Sequence, residues 1–211
     1  SGVISRVAYA GHTFYGEWKE GHDPSHHDDI VGPVEEFSME DPLGFEEAAP
    51  GEPFVKIGVG TLIRPDNQDY RFHRKYEIQK AGTWDIKQQE NWIEFYQDFK
   101  GPDEWAYHYT KRIELLDDQP VFLIKHTLKN TGFKTIDTTH YNHNFTIIDD
   151  QPIGPGYSVA FPFEVTAEGE RNNCVEINDN KIVFTQPNDP GHVMLFLQNQ
   201  LSSADQNQIT I

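Results

Sequence analysis

The sequence predicts an all-β chain of antiparallel sheets, and three observations predict it. From Phe54 onward the chain is a succession of short period-two segments. These are separated by Gly, Pro, Asn and Asp, residues that accept the backbone angles of turns. Amphipathic helical patterns are scarce along the same stretch. Together they describe a large antiparallel sandwich over a single domain, residues 1–211, with long loops in 16–53.

Residues Gly16 to Gly51 come first, rich in Gly, Pro, His, Asp and Glu with short apolar stretches such as Ile30-Val31, and read as loops wrapping a scaffold. Phe54 to Leu62 then alternates Val55, Ile57 and Val59 with Lys56, Gly58 and Gly60, predicting one strand that packs on one side and is nearly bare on the other. Tyr70 to Ile78 alternates Tyr70, Phe72, Arg74, Tyr76 and Ile78 with Arg71, His73, Lys75 and Glu77. Further strands are expected at Trp92 to Phe99, Tyr107 to Leu116, Val121 to Leu128 and Thr135 to Ile148. The stretches Leu115 to Pro120 and Lys129 to Gly132 carry hairpin-turn chemistry, so this region reads as a meander. The first residues, Ser1-Gly2-Val3-Ile4, and the last, Gln208-Ile209-Thr210-Ile211, read as a chain cut at both ends, the latter within a strand.

A net charge of −17 leaves no basic patch to neutralise phosphates, which argues against a nucleic-acid partner. No apolar run is long enough to cross a bilayer, so no membrane is expected. Aromatic residues make up 13 % of the chain, high for so polar a composition, and exposed aromatics stack on sugar rings, although most such residues are core. The single cysteine, Cys174, excludes an internal disulfide framework and a multi-cysteine zinc site, and leaves the compartment open.

Several clusters carry potential chemistry. His22, His26, His27, Asp28 and Asp29 are the densest set of metal-ligand types, but Gly21 and Pro24 among them favour a solvated loop, and no metal is expected. The neighbouring carboxylates Glu35 with Glu36, and Glu46 with Glu47, are expected to point apart into solvent. Gly58-Val59-Gly60 lacks the ending of a phosphate-binding loop, and no cofactor is expected. On a strand from Thr135 to Ile148, Tyr141, His143 and Phe145 share one face, and His140, Asn142, Asn144 and Thr146 the other. His140 and His143 therefore cannot share one ligand, and the ordinary reading of His143 between two rings is a satisfied core histidine.

Gly44-Phe45, Phe54 to Gly60, Leu128 to Gly132 and Tyr141-Asn142-His143-Asn144-Phe145, in this order, resemble the galactose mutarotase-like superfamily. The branch they look like is a divergent aldose 1-epimerase, glucose-6-phosphate 1-epimerase-like, over Val31 to the end. The resemblance implies a β-supersandwich and a small carbohydrate partner, a hexose or hexose phosphate whose anomers are interconverted. It assigns the general acid to His143, and histidine titrates where a proton can be delivered and recovered in one cycle. It puts Lys56 where the family has a sugar-binding His or Arg, and makes His73, Arg74 and Asn142 candidate sugar contacts. The family's general base is a Glu near the domain's end; Glu164, Glu168, Glu170 and Glu176 lie too early to match it. The same fold also occurs without mutarotase activity, so a non-catalytic carbohydrate-binding domain is the alternative. A non-carbohydrate interaction domain follows if the loop from Gly16 to Gly51 blocks the site.

Overall fold

The computed structural model describes residues 2–16, 32–38, 40–117, 119–168, 174–187 and 196–198; side chains at 143, 166–168 and 196–198 lie outside that description. Contacts divide the chain into two compact units, residues 1–146 and 147–211. All regular structure among the described residues is β, and every strand pair is antiparallel.

The first unit contains β1 (Val7–Tyr9), β2 (His12–Tyr15), β3 (Pro33–Phe37), β4 (Pro53–Lys56), β5 (Gly60–Ile63), β6 (Ile78–Ala81), β7 (Asp85–Gln88), β8 (Trp92–Lys100), β9 (Ala106–Leu115), β10 (Phe122–Asn130) and β11 (His140–Asn144). Strands β10, β9, β8 and β7 form a meander in that spatial order. Its register sets Phe99 opposite Tyr107, Gln97 opposite Tyr109 and His126 opposite Lys111, so these side chains share the inner face. Of the two expected turns, Leu115 to Pro120 joins β9 to β10, with the Leu116 N–H donating to the Val121 carbonyl at 3.0 Å, whereas Lys129 to Gly132 follows β10 and leads out of the sheet, its Gly132 N–H donating to Asn130 Oδ1 at 2.9 Å. Against the inner face lie Phe37, Leu43, Val55 and Ile57, and with Phe99, Trp105, Tyr107 and Tyr109 they make the main core. The molecule is thus an all-β, sandwich-like assembly of antiparallel sheets.

Three expected strands are shorter or different. Phe54 to Leu62 is a hairpin, because Gly58 (φ 81°) and Gly60 (φ 141°) hold angles that side-chain-bearing residues avoid. A Cβ at Gly60 would stand 2.2 Å from the Lys80 carbonyl oxygen. The turn is pinned by the Gly58 N–H donating to the Tyr107 hydroxyl at 3.0 Å. Reversing the chain here buries Lys56 (4 % exposed) and leaves Val59 38 % exposed, the inverse of a one-strand reading. Tyr70 to Ile78 is irregular up to β6, since Tyr70 and Tyr76 stack on one another at 5.1 Å and 15° across a turn closed by Arg74 N–H to Arg71 C=O. Of Thr135 to Ile148 only β11 is a regular strand, paired over its five residues with β3 and flanked by the bonds Ser38 N–H to Thr139 C=O and Phe145 N–H to Gly32 C=O. Strand β3 itself sits inside the stretch read as loop.

A second core in this unit is aromatic: Phe45 and Phe54 meet edge to face at 5.0 Å, with Tyr70 and Tyr76 around them. The second unit contains β12 (Ser158–Ala160), β13 (Thr166–Glu168), β14 (Val175–Asn178), β15 (Lys181–Phe184) and β16 (Phe196–Gln198). Its sheet β12-β15-β14 closes over Phe161, Val165, Cys174, Val175 and Ile182, which places the cysteine in a small core. Truncating the 1 %-exposed Phe54 to Ala should cost about 3–5 kcal/mol. Urea unfolding of the Phe54→Ala protein is expected to show that loss as a lower midpoint at unchanged slope.

Candidate functional site

Strand β3 is short and nearly buried, with Pro33 at its first position, where a missing N–H is tolerated. In antiparallel register with β11, it sets Phe37 opposite His140, Glu36 opposite Tyr141, Glu35 opposite Asn142 and Val34 opposite His143. Consecutive residues on a strand face opposite ways, so Glu35 and Glu36 enter different environments. They point apart as expected, but neither is solvated: each meets a buried lysine. Pairing within the sheet removes the water that the loop reading had assumed.

On one face, Lys56 Nζ lies 2.6 Å from Glu36 Oε1, 2.8 Å from the Ser38 carbonyl oxygen and 3.1 Å from the Tyr70 hydroxyl. Three acceptors use the three N–H bonds of an ammonium, so the geometry specifies a charged lysine. Burial draws the Lys56 pKa down and Glu36 opposes that shift, leaving it below the ordinary value. The Tyr141 hydroxyl donates to Glu36 Oε2 at 3.2 Å. Burial, and then the charge of Glu36, push both the Tyr70 and Tyr141 phenols well above their usual range, so each keeps its proton. Tyr70 continues into Tyr76, which carries the Arg74 guanidinium 5.8 Å from its ring centre. Arg74 grips Asp66 through two bonds, 3.0 and 2.6 Å, and these, with the Gln68 N–H, hold the Asp66 carboxyl down at about 2.

On the opposite face, Lys111 Nζ donates to Glu35 Oε2 at 2.5 Å and His126 Nε2 stands 3.6 Å from Oε1. Both carboxylate and ammonium are nearly dry. Burial alone would raise the Glu35 pKa; His126 and Lys111 outweigh it and leave it lowered. The Tyr109 hydroxyl is 2.9 Å from His126 Nδ1. The His140 ring packs between Phe37 (4.6 Å) and His126 (4.7 Å). Crowding of its ring, and then His126, pull His140 down to about 4, so it is neutral at physiological pH.

The structure therefore gathers some expected residues and disperses others. Lys56 joins Glu36 and Tyr141 on the strand pair that carries His143, whose side chain lies outside the described residues. Asn142 is exposed and registers with Glu35, on the other face of β11 from Tyr141. His73 is exposed in the turn after Tyr70, its ring against Phe72, and Arg74 is committed to Asp66. The histidine-rich stretch 22–29 lies outside the described residues. Among the described residues no group of three or more His, Cys, Asp or Glu is arranged to hold a metal. Glu36, Tyr70 and Tyr141 were missed, as was the Glu35-Lys111-His126 cluster. The signal for the first was present: Val34 and Phe37 flank two adjacent acids that a short strand must split. No family model, no curated protein and no solved structure matches this chain.

Two groups make stability depend on acidity with the same sign. His140 binds its proton less readily folded, at about 4, than unfolded, near 6.5. It therefore contributes stability that is whole above about 6.5 and fades as pH falls toward 4. The lowered Glu35 adds stability lost at still lower pH, as its carboxylate is protonated. Thermal melts should show Tm falling from pH 6.5 to 4, and a His140→Gln variant should flatten that part of the curve; an unchanged slope contradicts the assignment.

Proposed function

We propose that the Glu36 face of the β3-β11 pair is an acid-base site for a hexose, and that the chain is an aldose 1-epimerase-like protein. One observation carries the reading. A carboxylate, Glu36, sits directly across the strand pair from Tyr141, two residues before His143, where the sequence alone offered an acid without a base. Anomer exchange needs both: the acid protonates the ring oxygen while the base takes the anomeric hydroxyl proton, the ring opens, and closure on the other face returns both protons. In this reading His143 is the acid and Glu36 the base, and the resemblance of Tyr141 to Phe145 to the mutarotase motif supports the first assignment. The mutarotase-like supersandwich belongs to the same proposal.

The cations around the site favour an unphosphorylated sugar. Lys56 has no N–H left, and Arg74 is held by Asp66. The Arg64 guanidinium donates to the carbonyls of Phe45 (2.8 Å) and Ala48 (3.0 Å) and lies 4.4 Å from the Phe45 ring centre. A phosphate here would have to displace bonds already made, on a protein of net charge −17.

A second reading, a carbohydrate-binding domain without turnover, is favoured by the Lys56 ammonium 2.6 Å from Glu36 Oε1, which ties up one oxygen of the carboxylate. Exchange spectroscopy by NMR on the anomers of glucose, galactose and glucose 6-phosphate separates the two. Acceleration is expected for the neutral hexoses above the phosphate, with His143→Ala and Glu36→Gln each reducing it by about 10²–10⁴-fold. Sugar-dependent shifts without acceleration would establish the binding domain instead.

A further inference from the structure

We propose that Lys56 is a positioning residue that acts through Glu36 and does not itself touch the sugar. This rests on the reading of the Glu36 face as the sugar site. Lys56 is 4 % exposed, and its ammonium is held by three groups from two segments: Glu36 of β3 and the Ser38 carbonyl just beyond it, and the Tyr70 hydroxyl. No N–H remains for a sugar hydroxyl, so the role that the resemblance gives to this position cannot be filled by direct contact without breaking one of those bonds. What the arrangement does instead is immobilise one oxygen of a carboxylate. Lys56 takes Glu36 Oε1, which leaves Oε2, the oxygen that also accepts from Tyr141, as the one placed along β11. The ammonium thus fixes the orientation of the carboxylate before substrate arrives. The aromatic stack behind Tyr70 holds the third anchor in place: Tyr70 cannot swing away without leaving Tyr76.

A residue that works only through another has a distinctive signature in a mutant cycle: once the second residue is disabled, removing the first costs nothing more. The four proteins to compare are the wild type, Lys56→Met, Glu36→Gln and the double variant, each checked for folding by circular dichroism. The double variant guards against loss of the fold, since it removes both charges of the buried pair and leaves neither uncompensated. For anomer exchange of glucose, Lys56→Met is expected to lower kcat by about 100-fold with little change in KM, and the double variant to be no slower than Glu36→Gln alone. A raised KM at unchanged kcat, or losses that multiply in the double variant, would show that Lys56 binds sugar directly and would overturn the proposal. If the wild type binds glucose without turning it over, the epimerase reading fails separately. The cycle is then read on glucose affinity from NMR shifts: non-multiplying losses support the positioning role, and multiplying losses refute it. Absence of both turnover and glucose binding refutes it together with the site.

Discussion

Strand β3 places two consecutive carboxylates on opposite faces of one sheet, and the rest of the first unit is arranged to neutralise them. Leaving either charge buried without its partner costs several kcal/mol, so the pairs are conditions of folding more than additions to stability. Lys56 arrives from the β4-β5 hairpin and Lys111 from the middle of β9, far apart in sequence and on opposite sides of β3. Each ion pair therefore links β3 to a different layer. The pairing of β3 with β11 adds a third constraint over about a hundred residues of chain. Such contacts are slow to form because loop closure precedes their reward.

The two faces differ in what surrounds the acid. Glu35 points toward the inner face of the meander, where Lys111, His126 and Tyr109 lie among the residues of the main core. There the Tyr109 hydroxyl and the Glu35 carboxylate flank the two ring nitrogens of His126 and hold the ring's orientation, a task of an internal polar network. Glu36 points toward the aromatic cluster of Phe45, Phe54, Tyr70 and Tyr76, and to the strand face bearing Tyr141. Phenols held protonated by burial and by a neighbouring anion remain donors at every physiological pH. One strand thus ties its two faces to different layers through two ion pairs.

The aromatic cluster also explains the state of the cations. Arg64 and Arg74 both lie against rings, and both spend their hydrogen bonds on backbone carbonyls or on Asp66. Guanidinium groups stack and bond at the same time, so the same residues that look like anion ligands in a sequence can serve as struts for an aromatic wall. The N–H groups of Lys56, Arg64 and Arg74 are accordingly engaged by groups of the protein itself.

The alternation of apolar and polar residues from Trp92 to Leu128, with the turn chemistry of Leu115 to Pro120 between β9 and β10, determined the β8-β9-β10 meander without help from the rest of the chain, because neighbouring strands and their turns are local. The alternation of Tyr141 against His140 and Asn142 was legible for the same reason. Phe54 to Leu62 and Tyr70 to Ile78 were misread because glycine angles and ring stacking, neither visible in period-two patterning, reversed or interrupted the backbone there. What the tertiary structure alone decided is which groups meet. Glu35 and Glu36 read as solvated until β3 pairs with β11, and Lys56 reads as free until the hairpin turns it inward. Contacts between segments twenty to a hundred residues apart leave no periodic trace in a single sequence, since the physical reason for each residue lies in a partner that only the folded chain brings near.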